Sequence, residues 1–331
     1  MPCDQSLRQR LYYDWGRCEV KRIDLAALGE LLIDFTPSGA EYTFTAHPGG
    51  APANVLVMAA KAGCKTAFIG KVGEDQFGTL LVNTLRQNGV ETGAILRSRI
   101  HTTLAFVHLA PNGDRSFTFC RNHSADTLLE PGELDTALLQ SCKVLHVGSL
   151  SLTDEPARSA TLEAIQIAKE AGAFISYDPN WRPALWDDVE HAKQMMMLPL
   201  NQVDFMKLSD NEVELLTPYP DEVQGADWLL RQGMKLVVVT MGPKGCYYKT
   251  AETSGYVSAP NVQVVDTTGS GDVFTGALLS QLIRNGFDLH PDGLPELMRF
   301  ACTAGSLCAT QYGGIPAIPE EEEITRFLAQ Q

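Results

Sequence analysis

The residues with the most chemical content lie together at 266–279: Asp266-Thr267-Thr268-Gly269-Ser270-Gly271-Asp272-Val273-Phe274-Thr275-Gly276-Ala277-Leu278-Leu279. The apolar run 262–265 reads as a strand leading into them, and 271–282 reads as a helix leading away. A glycine-rich turn feeding a helix start aims several backbone N–H groups at one point, where the helix dipole adds positive potential. Such a spot can bind phosphate oxygens without a side-chain cation. Asp272 inside it has two readings. It is either an N-cap that stabilises the helix, or a carboxylate aimed at a hydroxyl that must attack the phosphate.

A second set lies upstream, in His47-Pro48-Gly49-Gly50-Ala51-Pro52-Ala53-Asn54. Asn54 is a polar residue on an otherwise apolar helix expected over 52–62. It would satisfy a core backbone group there, or hydrogen-bond a polyol. Asp34 is expected at the end of the first strand, where open α/β sheets bind their ligands. Asp34, Gly49, Gly50 and Asn54 thus form a polyol-recognising set facing a phosphate site near residue 270.

These groups need a scaffold, and the pattern around them alternates strand and helix. Residues 23–35 read as a buried strand interrupted at Gly29, and short apolar strands are expected at 66–69, 144–147, 173–177, 204–208 and 236–240. Helical periodicity falls at 78–88, 157–170, 209–216 and 224–231. That alternation implies a mostly parallel sheet covered on both faces. Two segments break the rhythm: 41–46, and 103–109 with 115–121 around the turn Pro111-Asn112-Gly113-Asp114. Period-2 alternation about such a turn signals an antiparallel hairpin. A small antiparallel sheet, spanning about 38–49 and 98–123, is therefore inserted into the α/β body as a cleft lid or as the match of a partner's sheet. Residues 1–21 are polar and read as a frayed extension to a domain over 22–331.

Composition removes several other classes. The 331 residues carry a formal charge of −14, which on average repels nucleic acid and anionic lipid. No stretch of 18 apolar residues exists to span a membrane, and the N-terminus has no apolar core of a signal peptide. Eight cysteines without a CxxC and seven scattered histidines read as reduced thiols of a cytosolic protein with no zinc site. The GxGxxG of a dehydrogenase and the GxxxxGK[ST] of a P-loop protein are both absent. A catalytically silent sugar- or nucleotide-binding regulator would be expected to have lost Asp272 or the glycines, and both are present.

On these motifs the chain resembles the ribokinase-like (PfkB) carbohydrate kinase family, and within it the bacterial fructokinase branch. Residues 266–279 match one family signature at every defined position, and Gly49 through Asn54, Gly63 and Gly73 match the other, with Leu56 where a small residue is usual. Fructokinase-like phrases recur in order: GELLIDF at 29–35, FIGKVGEDQFG at 68–78, FTFCRNHSADTLL at 117–129, DPNWRPALW at 178–186, KLSDNEVELLT at 207–217 and GGIPAIP at 313–319.

The resemblance implies a three-layer αβα fold and an ATP- and Mg²⁺-dependent sugar kinase. Asp272 would be the base, and Gly269, Ser270 and Gly271 the anion hole. Asp34, Gly49, Gly50 and Asn54 would hold the sugar, with Arg121 and Arg182 reaching the sugar or the phosphoryl group. Glu212 would organise Mg²⁺ through water, although Ser209 stands where the usual Asn-x-x-Glu begins. Gly242, Gly245 and the helix around Cys302 would line the nucleotide, and Asp266 and Thr268 could supply oxygens to K⁺. D-fructose is the expected acceptor, with 2-keto-3-deoxygluconate, aminoimidazole riboside and ribose as alternatives. A lone flap would expose its edges and apolar side chains, so a homodimer through the lid is expected.

Overall fold

The structure, a computed structural model, describes residues 22–39, 42–109 and 115–331. The expected extension at 1–21 and the turn at 111–114 lie outside the described residues. In chain order the first half holds β1 (Ile23–Leu28), β2 (Leu32–Pro37), β3 (Phe44–Gly49), α1 (Ala51–Lys61), β4 (Thr66–Gly73) and α2 (Gln76–Gln87). It continues with β5 (Val90–Glu91), β6 (Ile95–Ser98), β7 (Thr103–Leu109), β8 (Arg115–Cys120), α3 (Thr136–Ser141), β9 (Cys142–Gly148) and α4 (Ala157–Glu170). The second half holds β10 (Phe174–Asp178), α5 (Val189–Met197), β11 (Phe205–Ser209), α6 (Asp210–Leu216), α7 (Glu222–Arg231) and β12 (Leu236–Thr240). It ends with β13 (Cys246–Lys249), β14 (Ser254–Val257), α8 (Ser270–Arg284), α9 (Leu294–Cys308) and α10 (Glu321–Leu328).

Among the described residues a ten-stranded sheet runs β14-β13-β12-β11-β10-β9-β1-β4-β5, with β6 also on β4. It is parallel except for β13 and β14 at one edge. Along β1, Leu25 and Ala27 enter one apolar cluster while Ala26 and Leu28 enter the other, as the two-residue period of a strand requires. The first cluster gathers α1, α2, α8 and α9, and the second α4, α5, α6 and α7. Helix α4 shows why such helices form: Ala157, Ala160, Thr161, Ala164, Ile165 and Ala168 are buried at a spacing of three and four residues. This is the expected three-layer arrangement. Sequential strands leave β1 in opposite directions through β4 and β9, and the crevice beyond their C-terminal ends is where such sheets take ligands.

The four-stranded lid, β3-β2-β7-β8, comes from two insertions. Its two outer pairings are antiparallel as expected, and the central β2–β7 pairing is parallel. The reason is that β2 follows β1 and β7 follows β6, and both of those strands belong to the parallel sheet. Register sorts the lid's side chains. Asp34 pairs with His47 and Ala105, and Ala105 with Phe119, so these share one face. Phe35, Phe44 and Phe106 share the other, where Phe35 and Phe106 stack at 4.8 Å and Phe44 meets Phe106 edge-on at 5.6 Å. Tyr42 is 86% exposed and joins neither group.

Three local expectations change. Residues 262–265 are not a strand: Val264 and Val265 are exposed, and the N–H groups of Val265 and Asp266 both donate to the Ala309 carbonyl after α9 instead of to a sheet edge. Asp34 does not end the first strand. The chain breaks after Leu28, packs Gly29 against Pro52, and places Asp34 on lid strand β2. The lid therefore begins at Leu32, earlier than residue 38.

Candidate active site

Helix α8 can start at Ser270 because Gly269 takes a left-handed backbone (φ 79°), which a residue with a Cβ adopts only at a cost. Among the described residues no acceptor meets the backbone N–H groups of Gly271 and Asp272, whereas the Ser270 N–H is taken by the Thr267 carbonyl at 3.2 Å. The Ser270 hydroxyl is buried and unpartnered. A donor-rich helix start with a free hydroxyl fits an anion. The helix is also packed to face the sugar set. A Cβ at Gly276 would collide with the Val55 carbonyl, and that close crossing of α8 on α1 brings Asn54 to Asp272.

Contact between them removes the purely structural reading of each residue. No side chain caps α8; instead Asp272 Oδ2 accepts a hydrogen bond from Asn54 Nδ2 at 2.8 Å. Asn54 serves no core backbone group either, since its Oδ1 is buried without a partner. Burial pushes the Asp272 carboxyl up to about 6, helped by the negative charge of Asp178 and opposed by the Asn54 hydrogen bond and by Lys207 and Arg182. Asp34 is pushed up to about 7 by burial, with Arg182 pulling it down and Asp272 and Asp266 pushing it up. The two carboxylates and Arg182 therefore sense one another across the cleft. An amide, two carboxylates and a guanidinium beside an anion-binding helix start can hold a polyol and take a proton from it.

The remaining expected residues fall into place unevenly. Gly49 and Gly50 join β3 to α1, Gly49 lying against the Asp34 carboxylate and Gly50 against the Glu30 carbonyl. Asp266 Oδ1 accepts the Thr268 N–H at 2.8 Å, and Oδ2 the Gly313 N–H at 3.0 Å, tying the loop before α8 to the GGIPAIP segment. Glu212 Oε2 accepts the N–H and hydroxyl of Ser209, so the serine takes over the helix start, and Oε1 accepts the Trp181 N–H at 2.6 Å. With three hydrogen bonds already made, Glu212 fits a metal ion only through water and nucleotide. No cluster of three or more metal-ligating side chains exists among the described residues. Gly242 and Gly245 shape the tight turn from β12 into β13. Cys302 lies on α9 with its sulfur 3.7 Å from that of Cys246.

Arg121 is not brought to the carboxylate cluster. It is buried at the base of the lid, with Nε on Asp126 at 2.8 Å, Nη1 on the Thr153 hydroxyl and Nη2 on the Leu150 carbonyl, both at 2.7 Å. Sequence reasoning also passed over several buried charged residues. Asp178 at the end of β10 and Lys207 in β11 form a buried pair at 2.9 Å. Glu30, between β1 and β2, is buried, accepts the first N–H of α1 from Ala51 at 2.9 Å, and is pushed by burial to about 7. A signal existed for Lys207: a lysine between Met206 and Leu208 interrupts an apolar buried run, which is expensive unless the charge is used.

A donor-rich helix start, an adjacent carboxylate and polar groups beneath a lid on an open α/β sheet are the arrangement a small-molecule phosphotransferase needs. Comparison with known proteins narrows the class. A family model described as pfkB family carbohydrate kinase matches residues 22–321. A probable fructokinase-3 of Arabidopsis thaliana is 43% identical over 318 residues, covering 93% of this chain and 92% of its own. Among solved structures, a fructokinase from Xylella fastidiosa with bound ATP superposes with a TM-score of 0.87 at 32% identity, covering 93% and 98% of the two chains. A putative ribokinase II from E. coli in complex with ATP and Mg²⁺ gives 0.85 at 28% identity, covering 93% and 100%. A fructokinase from Vibrio cholerae bound to fructose, ADP and calcium gives 0.84 at 30% identity, covering 92% and 99%. The chain belongs to the PfkB family of carbohydrate kinases.

Proposed function

We propose that the chain transfers the γ-phosphate of ATP to a terminal hydroxymethyl group of D-fructose, giving fructose 6-phosphate. One observation carries the reading: Asp272 sits in the first turn of α8, at the anion site, with its carboxylate held by Asn54 from the polyol side. Phosphoryl transfer through a loose transition state needs positioning and charge neutralisation more than covalent help. The turn Gly269-Ser270-Gly271 and the N–H groups behind it meet the phosphate. Asp34, Asn54 and Arg182, on the Gly49-Gly50 junction, hold the sugar. With its carboxyl near 6, Asp272 is about nine-tenths ionised at pH 7 and accepts the hydroxyl proton. Glu212 would hold Mg²⁺ through water, Asp266 and Thr268 would offer oxygens to a monovalent cation, and Gly242, Gly245 and Cys302 would line the nucleotide, the metal supplying charge neutralisation at the phosphates. The bound ligands of the related fructokinases, ATP in one and fructose with ADP in the other, support this assignment. The test is ADP release with Mg-ATP over fructose, 2-keto-3-deoxygluconate, aminoimidazole riboside and ribose. Fructose should give the highest kcat/KM, and a clear preference for another of the four would reassign the acceptor.

Phe35 packs on Phe77 of α2 at 5.8 Å, and the half-buried Phe44 and Phe106 beyond it, on the lid face turned away from Asp34, are the surface through which two copies pair in this reading. Light scattering should give twice 36.1 kDa, and Phe44→Asp should yield monomers with raised fructose KM. No helix among the described residues is long and apolar enough to cross a membrane, and the described cysteines are all free, which suits a cytosolic enzyme.

A further inference from the structure

Lys207 has no part in the reading above, yet its position is the least expected in the molecule. It is a cation on buried strand β11, paired with Asp178, with side chains only 7% and 3% exposed. That pair alone does not explain it. An ammonium carries three donors, and among the described residues the Asp178 carboxylate is the only hydrogen-bond acceptor that Nζ meets. Two donors are left over in a place with little water, an arrangement that costs stability unless a ligand takes them. A buried pair with no further use is also readily replaced by apolar residues without loss.

The neighbourhood says which ligand. A Cβ at Gly271 would sit 3.1 Å from Lys207 Nζ, so the ammonium occupies the space that a side chain at 271 would need. It therefore lies against the first turn of α8, beside the unmatched N–H groups of Gly271 and Asp272 and one residue from the unpartnered Ser270 hydroxyl. Burial alone would pull the lysine's pKa down, but Asp178, Glu212 and Asp272 together hold it above its ordinary value, so it stays charged. Backbone donors, a hydroxyl and a fixed positive charge gathered at one helix start match a group with several anionic oxygens.

We infer that Lys207 is the cation that meets the transferring phosphoryl group at the start of α8, held there by Asp178. The inference rests on the kinase reading and deepens it. In the step, the bond from the γ-phosphorus to the bridging oxygen breaks and its electron pair stays on ADP. A bond from the sugar hydroxyl oxygen to phosphorus forms, and the hydroxyl proton passes to Asp272. Charge spread over the three remaining phosphoryl oxygens is what Lys207 neutralises. Asp178 fixes the ammonium and cancels part of its charge when no nucleotide is bound. In a chain of net charge −14, this supplies the phosphate with a local cation.

The test compares wild type with Lys207→Met, and with Lys207→Met combined with Asp178→Asn, which leaves no buried charge alone if the single variant fails to fold. Fructose phosphorylation is measured beside the binding of fructose, of ADP, and of ADP with aluminium fluoride, which mimics the phosphoryl group in flight. In a folded variant kcat should fall about 100-fold, the scale of losing one preorganised donor to developing charge. Binding of the aluminium fluoride complex should weaken tenfold or more, while ADP and fructose affinities stay within threefold. A kcat loss under tenfold, or equal weakening of ADP and of its aluminium fluoride complex, overturns the role. A wild-type chain that phosphorylates none of the four acceptors overturns the kinase reading instead, and this role with it.

Discussion

Asp272 and Asp34 face the same cleft, and burial pushes both above the usual carboxylate range, but the two sides of the cleft hold them differently. Asp272 belongs to the body. It lies in the first turn of a helix packed between α1 and α9, is hydrogen-bonded by Asn54, and lies near the Asp178–Lys207 pair. Asp34 belongs to the lid. It stands on one of four strands, touches Gly49, and among the described residues accepts no hydrogen bond. In the proposed reaction Asp272, the group that would take the proton, is fixed before substrate arrives, which lowers the cost of aligning it. In the same reading Asp34, the group that would recognise the sugar, keeps its acceptors unspent, so the hydroxyls it meets would replace water and not another protein group. Lid and body meet at Arg121 and Glu30, both buried and both committed to protein partners.

The difference can be broken first on the body side. Asp272→Asn should preserve folding and ATP binding while kcat falls ~100-fold or more, the range for losing a general base. A role limited to helix packing predicts near-normal turnover, and steady-state kinetics on the folded variant separates the two.

Next is the junction. Arg121→Ala strands Asp126 in the interior, and breaking a buried pair costs about 3–5 kcal/mol. Denaturant melts should reveal that loss while fructose KM in the surviving folded enzyme stays within about threefold. A large KM effect with unchanged stability would return Arg121 to the sugar.

On the lid side, Asp34→Ala should weaken fructose use roughly ten- to a hundred-fold at pH 8, where Asp34, pushed up to about 7, is mostly ionised, since a hydrogen bond to a charged acceptor is worth about 1.5–3 kcal/mol. ATP use should change little, and equal losses for both substrates would make Asp34 structural.

The smallest effect is the most specific to environment. In the proposed reaction Asp272 acts ionised, and burial has pushed its carboxyl to about 6. Activity should therefore fall as pH drops through about 6, and not only near 4 as for an ordinary aspartate, by about tenfold per further unit. The Asn54 hydrogen bond pulls that value down, so Asn54→Leu should move the acid limb of the kcat/KM profile, which reports the free enzyme, to higher pH.

Much of this was legible in the residues alone. The layer order, most of the strands, and α4 to the residue followed from apolar periodicity, because burial on a sheet face imposes a repeat that the chain must carry locally. The anion site was legible too, since a glycine turn entering a helix is a local device. What the sequence could not decide was partnership across long separations. Asn54 and Asp272 are 218 positions apart, and only the crossing of α1 on α8 makes them neighbours and turns a possible helix cap into a held carboxylate. Arg121 and Arg182 look equally suited to a cleft. Asp126 lies five residues from Arg121 and captures it, whereas Arg182 is left near Asp34 and Asp272. Lys207 reads in one dimension as a flaw in a buried strand. It becomes intelligible only when β10 sets Asp178 beside it and Gly271 leaves it room, because the cost of burying a charge is settled by what lies next to it in space.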